Sequence, residues 1–186
     1  MKLAPGTFQG LHQSEVELFQ KHLKGLTGIG VEIGCLDGYS SAVILEASEL
    51  HLTSIDPFIP DSMEPSLIGS EAKYHENVKP WAPERASLIP GYSYNAVKAF
   101  YAEPNIDFLF IDGDHTYPAV LQDFTDWTPH VKPGGLLAMH DCRMCREGSP
   151  NFHLGPSRVA REMIFGQPDK WQIVDEAFSL VLARKL

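Results

Sequence analysis

Val31-Glu32-Ile33-Gly34-Cys35-Leu36-Asp37-Gly38-Tyr39-Ser40 is the stretch from which the rest of this chain is read. Residues 29–33 are a short apolar run of strand type, and an Ala/Leu-rich helical pattern at 40–50 follows the two glycines. Gly34 and Gly38 let the backbone pass close to a ligand, and the start of the next helix presents free N–H groups. The spacing is not GxGxxG, and the GK[ST] of a P-loop is missing, so dinucleotides and nucleoside triphosphates are both poor fits. Asp56 ends the next strand pattern, 51–55, where a carboxylate can accept both hydroxyls of a ribose. Turn and acid together point to an adenosine-type ligand. The competing reading is a plain tight turn, with Asp56 capping the loop at Pro57.

Outward from this unit, strand and helix patterns alternate. Upstream, Ser14-Glu15-Val16-Glu17 reads as a capping box, with Val16, Phe19, Leu23 and Leu26 on one helical face. Downstream come a weak strand at 86–89, a short helix at 94–100 and a strand at 106–111. The last is a nearly continuous apolar run of the kind buried on both faces of a parallel sheet. Thr116 caps the next helix, which carries Pro118 in its first turn and Val120, Leu121, Phe124 and Trp127 on its inner face. Lys132-Pro133-Gly134-Gly135 turns into a strand at 136–140, and a helix at 157–165 follows. Strands at 171–174 and 178–183, joined by Asp175-Glu176-Ala177, form a closing hairpin. The pattern predicts an α/β, Rossmann-like, doubly wound fold. Its seven-stranded sheet is mostly parallel, with a C-terminal antiparallel hairpin and helices on both faces. Such sheets bind ligands beyond the C-terminal strand ends, here 34–40, 56–58, 91–93, 112–117 and 140–145.

Length and composition narrow the rest. The 186 residues suit one domain, with 1–27 a helical extension and the irregular segments 57–90 and 142–156 candidate substrate or lid loops. A formal charge of −9 with no basic stripe argues against nucleic acid as a partner. The apolar runs are strand-sized, too short for a bilayer, and the N-terminus lacks the apolar core of a secretory signal. Three cysteines argue against a disulfide framework and for a reducing, cytoplasmic location.

Two further clusters bear chemistry. Ile111-Asp112-Gly113-Asp114-His115-Thr116-Tyr117 and His140-Asp141 fall at strand ends on one sheet edge, where oxygen donors suit Mg²⁺. Cys142-x-x-Cys145, with His140 and His153, is the weaker Zn²⁺ signal, set against two incidental cysteines in a loop. Trp127, Phe124 and Trp171 read as core, whereas Tyr74, Trp81, Tyr92 and Tyr94 lie at or near the binding edge as candidate stacking groups.

The Glu-Ile-Gly-Cys-Leu-Asp-Gly run resembles motif I of class I S-adenosylmethionine (SAM)-dependent methyltransferases. The Ile-Asp-Gly-Asp-His-x-Tyr run, the Lys-Pro-Gly-Gly turn and His140-Asp141 resemble one branch of them. That branch comprises small-molecule O-methyltransferases of the macrocin and mycinamicin type and cephalosporin-hydroxylase-like proteins. The resemblance implies methyl transfer from SAM to a small-molecule hydroxyl, with a divalent metal assisting in some members. It implies that Glu32, Gly34, Asp37, Gly38 and Ser40 hold the methionine end of SAM, that Asp56 and Pro57 hold the ribose, and that Gly91, Tyr92 and Ser93 lie near adenine. Asp112, His115 and Asp141 are then expected around the acceptor oxygen, with Asp112 also near the cofactor. A metal would fall to Asp112, His140 and Asp141, although the pair after the last parallel strand, His140-Asp141 or Asp141-Cys142, departs from the carboxylate-rich pattern of metal-dependent members. His115 is open between base, ligand and orienter. Competing expectations are a non-catalytic SAM- or nucleotide-binding regulatory protein and an NAD(P)-dependent oxidoreductase, the latter disfavoured by the missing GxGxxG. With no separate substrate domain, acceptor recognition falls to the two loops, a neighbouring subunit of a homo-oligomer, or both.

Overall fold

A computed structural model describes residues 1–60, 62, 65–100, 105–142 and 154–186. Helix α1 (Gln13–His22) precedes a seven-stranded sheet. The order is β1 (Thr27–Ile33), α2 (Tyr39–Ala47), β2 (Glu49–Asp56), α3 (Glu71–Val78), β3 (Ala86–Pro90), α4 (Ser93–Ala96), β4 (Ile106–Ile111), α5 (Tyr117–Trp127) and β5 (Val131–Met139). Helix α6 (Leu154–Val159) runs on as wider π-type turns over Ala160–Phe165, and β6 (Trp171–Ala177) and β7 (Leu180–Lys185) close the chain. Strand order is β3-β2-β1-β4-β5-β7-β6. Strands β1 to β5 pair in parallel, while β7 is antiparallel to both β5 and β6. The order reverses between β1 and β4, which opens the crevice that ligands of such sheets use.

Alternation along β4 builds both faces. Phe108 and Phe110 point into the layer with Phe19, Ile44 and Tyr74, whereas Leu109 and Ile111 point into the layer with Phe124, Trp127 and Ile164. Phe19 meets Phe108 and Phe110 edge-on at 5.9 and 5.4 Å, which fixes α1 to the sheet. Among the described residues no helix is long and apolar enough to cross a membrane.

Several local expectations are corrected. Helix α1 starts at Gln13, because the His12 ring accepts from the Ser14 N–H while the Glu15 carboxylate accepts from the His12 N–H at 2.7 Å; the expected Ser14 cap is therefore not used. The 57–90 segment is not a plain loop, since besides the expected strand, β3, it holds the unexpected helix α3. The Lys132–Gly135 turn lies inside β5, and Asp175 to Ala177 belong to β6, so the hairpin turns at Phe178 and Ser179. Tyr74 is buried, its hydroxyl on the Ser87 carbonyl at 3.1 Å, and it is core rather than a stacking group. Cys145 and His153, and most of the expected 142–156 loop, lie outside the described residues; Cys35 and Cys142 are buried thiols.

Candidate active site

At the end of β1 the chain turns at Gly34 with φ of +84°, and a Cβ there would lie 2.1 Å from the Asp112 carbonyl oxygen. Only glycine fits where two strand ends approach this closely. The turn is held from below by Asp56, whose Oδ2 accepts the N–H groups of Cys35 and Leu36 at 2.9 and 2.8 Å. Its Oδ1 accepts the Phe58 N–H at 2.6 Å. Asp56 therefore shapes the turn as well as lining the cleft above it.

Two of the expected cofactor residues face elsewhere. Glu32 is fully buried and accepts hydroxyl hydrogen bonds from Ser40 at 2.5 Å, Ser54 at 2.7 Å, and Ser41. Burial pushes its carboxyl up to about 7, and the three hydroxyls oppose the shift without cancelling it. Asp37 accepts from the Phe8 and Ser70 N–H groups and from Lys73 Nζ, each at 3.0 Å, and so ties the N-terminal segment to α3. Neither side chain lines the cleft, and Gly38 packs against Tyr74 instead. Gly34, Ser40, Asp56, Pro57, Gly91, Tyr92 and Ser93 do line it.

The ends of β4 and β5 supply the polar side. His115 Nε2 lies 3.3 Å from Asp141 Oδ2 and 3.9 Å from Asp112 Oδ1. One ligand-type atom from each of Asp112, His115 and Asp141 falls within 4.8 Å of the others. Two carboxylates and one imidazole form a donor set that suits a divalent cation with hard to borderline preferences. The expected ligand His140 is not part of this cluster. Its Nδ1 is 3.1 Å from Asp112 and its Nε2 is 3.1 Å from Glu15 of α1. Burial alone would lower its pKa, but the charge and hydrogen bonds of Asp112, with Asp141 and Glu15, hold it well above the usual histidine value. Both of its ring nitrogens are therefore taken up by carboxylates, one of them outside the cluster. Reciprocally, Asp112 is drawn down from its ordinary value, the two histidines outweighing its burial.

Glu15 is buried completely and also accepts the Ser179 N–H at 3.0 Å and the Ser179 hydroxyl at 2.8 Å. It thereby joins α1, the end of β5 and the tip of the β6–β7 hairpin. That tip brings Phe178, stacked on His12 at 4.3 Å, to the cleft, where Phe8 and Leu11 of the N-terminal segment join it. The cleft encloses about 660 Å³, in the range of small-molecule sites. Its other side is the β3–α4 loop together with Ala119, Gln122 and Asp123 of α5.

Sequence reasoning missed Glu15, Asp123, Phe8 and Phe178. Two of these carried a signal. Glu15 falls four residues before Phe19 and Asp123 four before Trp127, so each is an acid on a helical face otherwise apolar. The aromatic pair had none, since single apolar residues near turns are ordinary.

A family model described as a methyltransferase domain matches residues 31–142. An uncharacterised protein of Acanthamoeba polyphaga mimivirus is 28% identical over 150 residues, 77% of this chain and 65% of that protein. The chain thus spans a little less than two thirds of that relative. A Staphylococcus aureus protein assigned as a caffeoyl-CoA O-methyltransferase superposes with a TM-score of 0.65 at 18% identity, over 96% of this chain and 86% of that one. The O-methyltransferase TomG of Streptomyces achromogenes, solved with SAM, superposes with a TM-score of 0.65 at 16% identity, over 95% and 81% of the two chains. At these identities the structural likeness establishes the fold.

Proposed function

The chain belongs to the methyltransferase-domain family that its residues 31–142 match, and on that premise we propose that it transfers the methyl group of SAM to a hydroxyl of a small molecule. One observation carries the proposal: a single cleft holds both the Gly34 turn braced by Asp56 and the Asp112, His115, Asp141 cluster. TomG, of the same fold, was solved with SAM.

The SAM sulfonium supplies an electrophilic methyl, so the protein has to align the acceptor and remove its proton. The turn after β1 offers backbone at close approach, and Asp56 Oδ1, which among the described residues accepts only the Phe58 N–H, keeps a lone pair for a ribose hydroxyl, while Oδ2 is taken up by the Cys35 and Leu36 N–H groups. On the other side, His115 Nε2 faces two carboxylates, Asp112 and Asp141, which orient the ring as a base for the hydroxyl proton. Alternatively, Asp112, His115 and Asp141 would hold a divalent cation, which would lower the pKa of an acceptor hydroxyl. In both cases Asp112 acts on the acceptor side. The net charge of −9 and a cleft of about 660 Å³ favour a small acceptor over nucleic acid.

Calorimetry with SAM and S-adenosylhomocysteine, followed by transfer of labelled methyl to a panel of phenols and sugars with and without Mg²⁺ or Mn²⁺, tests this. Asp112→Asn is expected to bind S-adenosylhomocysteine within a few-fold of wild type and to lose transfer by roughly 10²–10⁴-fold. Folded wild-type protein that binds neither cofactor form would refute the proposal. Binding without transfer to any hydroxyl compound would instead favour a SAM-binding regulatory protein.

A further inference from the structure

Asp141 brings its carboxylate within 3.3 Å of His115 Nε2 from an unusual stretch of backbone. Its φ is +53°, in the left-handed region, which crowds any residue that carries a Cβ. Such a conformation persists only where the surrounding structure holds it. Here the residues on either side are held, and both restraints lead back to one carboxylate. On one flank, Glu15 Oε2 pairs with His140 Nε2 at 3.1 Å. On the other, Glu15 Oε1 accepts the Ser179 N–H at 3.0 Å, and the Ser179 carbonyl accepts the Cys142 N–H at 2.8 Å. Each oxygen of Glu15 thus secures one neighbour of Asp141.

The same brace reaches the Asp141 side chain. His140 Nδ1 lies 3.5 Å from Asp141 Oδ2 and 3.1 Å from Asp112 Oδ1, so one ring touches both carboxylates that face His115. The outer torsion of a histidine is broad on its own, so this ring is aimed by what faces its two nitrogens. Glu15 supplies the fixed side of that arrangement. It is fully buried, and its helix is seated on the sheet by Phe19 against Phe108 and Phe110. Glu15 and Ser179 both lie outside residues 31–142, the stretch that the methyltransferase-domain model matches. The brace is therefore built by the two ends of the chain around the matched core.

We propose that Glu15 is a positioning residue for methyl transfer: from outside the cleft it holds Asp141 in its left-handed conformation and so sets that carboxylate against His115. The proposal rests on the SAM reading above. Glu15 does not line the cleft, and it acts through His140 and Ser179. Without it the His140 ring and the hairpin tip lose their common anchor, and the turn at Asp141 relaxes. The Gly34 turn and Asp56, on the cofactor side, make no contact with the brace and keep their places. A displacement of about 1 Å at the reacting groups can cost roughly 10²-fold in rate, so the loss falls on turnover and not on cofactor affinity.

The test uses Glu15→Gln, which keeps the size and one acceptor oxygen but cannot serve both flanks. Per folded molecule, kcat should fall by about tenfold or more with whichever phenol or sugar of the panel wild type methylates fastest. KM for SAM and affinity for S-adenosylhomocysteine should stay within roughly threefold. Trp127→Phe, a change in the opposite core layer, destabilises the fold without touching the brace and should keep wild-type kcat per folded molecule. Hydrogen exchange reads the brace directly. The Cys142 amide should exchange as slowly as the β4 amides in wild type, and about tenfold or more faster relative to them in Glu15→Gln. Unchanged kcat in folded Glu15→Gln, or an equal loss in Trp127→Phe, overturns the proposal. So does fast exchange at Cys142 in wild type, whether or not the variant folds. Wild type that binds no S-adenosylhomocysteine or methylates nothing removes the methyl-transfer reading, and this role with it.

Discussion

Replacing Glu15 by alanine removes the carboxylate on which three elements converge. Glu15 accepts from the His12 N–H at 2.7 Å, the Ser179 N–H at 3.0 Å and the Ser179 hydroxyl at 2.8 Å, and pairs with His140 at 3.1 Å. The Glu15 side chain is fully buried, and His140 is nearly so. Breaking one side of a buried ion pair costs about 3–5 kcal/mol, because the partner charge is left uncompensated. A domain of this size loses roughly 2–4 °C per kcal/mol, so Glu15→Ala should melt roughly 6–20 °C below wild type. Glu15→Gln keeps an acceptor for Ser179 and should fall between the two.

The pH dependence has a definite sign. The His140 charge and hydrogen bond, with the His12 N–H and Ser179, outweigh burial and hold Glu15 below its ordinary value. Its contribution is therefore complete above the unfolded carboxyl pKa of about 4.5 and is lost as pH falls through the folded value. His140 is raised, so its contribution is complete below about 6.5 and is lost as pH rises through the folded value. The gap between wild type and Glu15→Ala should be widest between these limits and narrow on the acid side. Calorimetric melts at pH 3.5, 5.5 and 7 read it out. A variant that melts within 2 °C of wild type at pH 5.5, or a gap that widens in acid, would contradict the ion-pair account.

Two other perturbations probe the cofactor side. Gly34→Ala puts an L side chain at φ of +84° with its Cβ 2.1 Å from the Asp112 carbonyl. The left-handed backbone alone costs about 1–2 kcal/mol, and relief of the clash must separate the ends of β1 and β4. We expect a lower melting temperature and at least about tenfold weaker S-adenosylhomocysteine binding, and unchanged affinity would show that the turn does not shape the site. Glu32, raised to about 7, favours the fold fully below about pH 4.5 and progressively less as pH rises towards 7. The stability of Glu32→Gln relative to wild type should therefore rise over that interval, by up to about 3 kcal/mol. Urea titrations at pH 5 and pH 8 with the same difference at both would rule out the shift.

The architecture was legible because it rests on local signals. The continuous apolar run of β4 requires burial on both faces, and the glycine turn after β1 requires a conformation that other residues avoid. The turn before β7 was misplaced because Asp175 to Ala177 look like turn residues by composition. In the fold Asp175 is instead held by Lys21 and His22 of α1 at 2.8 and 2.7 Å, within the strand. Contacts with a distant helix overrode local propensity there.

The sequence alone determined that a glycine turn, an acid after β2 and a cluster of Asp and His residues end on one sheet edge, because chain order and right-handed β–α crossovers leave few other arrangements. Tertiary structure decided which of those residues are available for chemistry. Asp37 turns to the N-terminal segment and Glu32 to three serines, leaving the cleft wall to their neighbours. His115 and His140 are equivalent as letters. One faces Asp112 and Asp141 within the cluster, while the other is claimed on its far side by a carboxylate 125 residues away. A titratable group takes its role from the charges packed around it, and those come from segments that only the folded chain brings together.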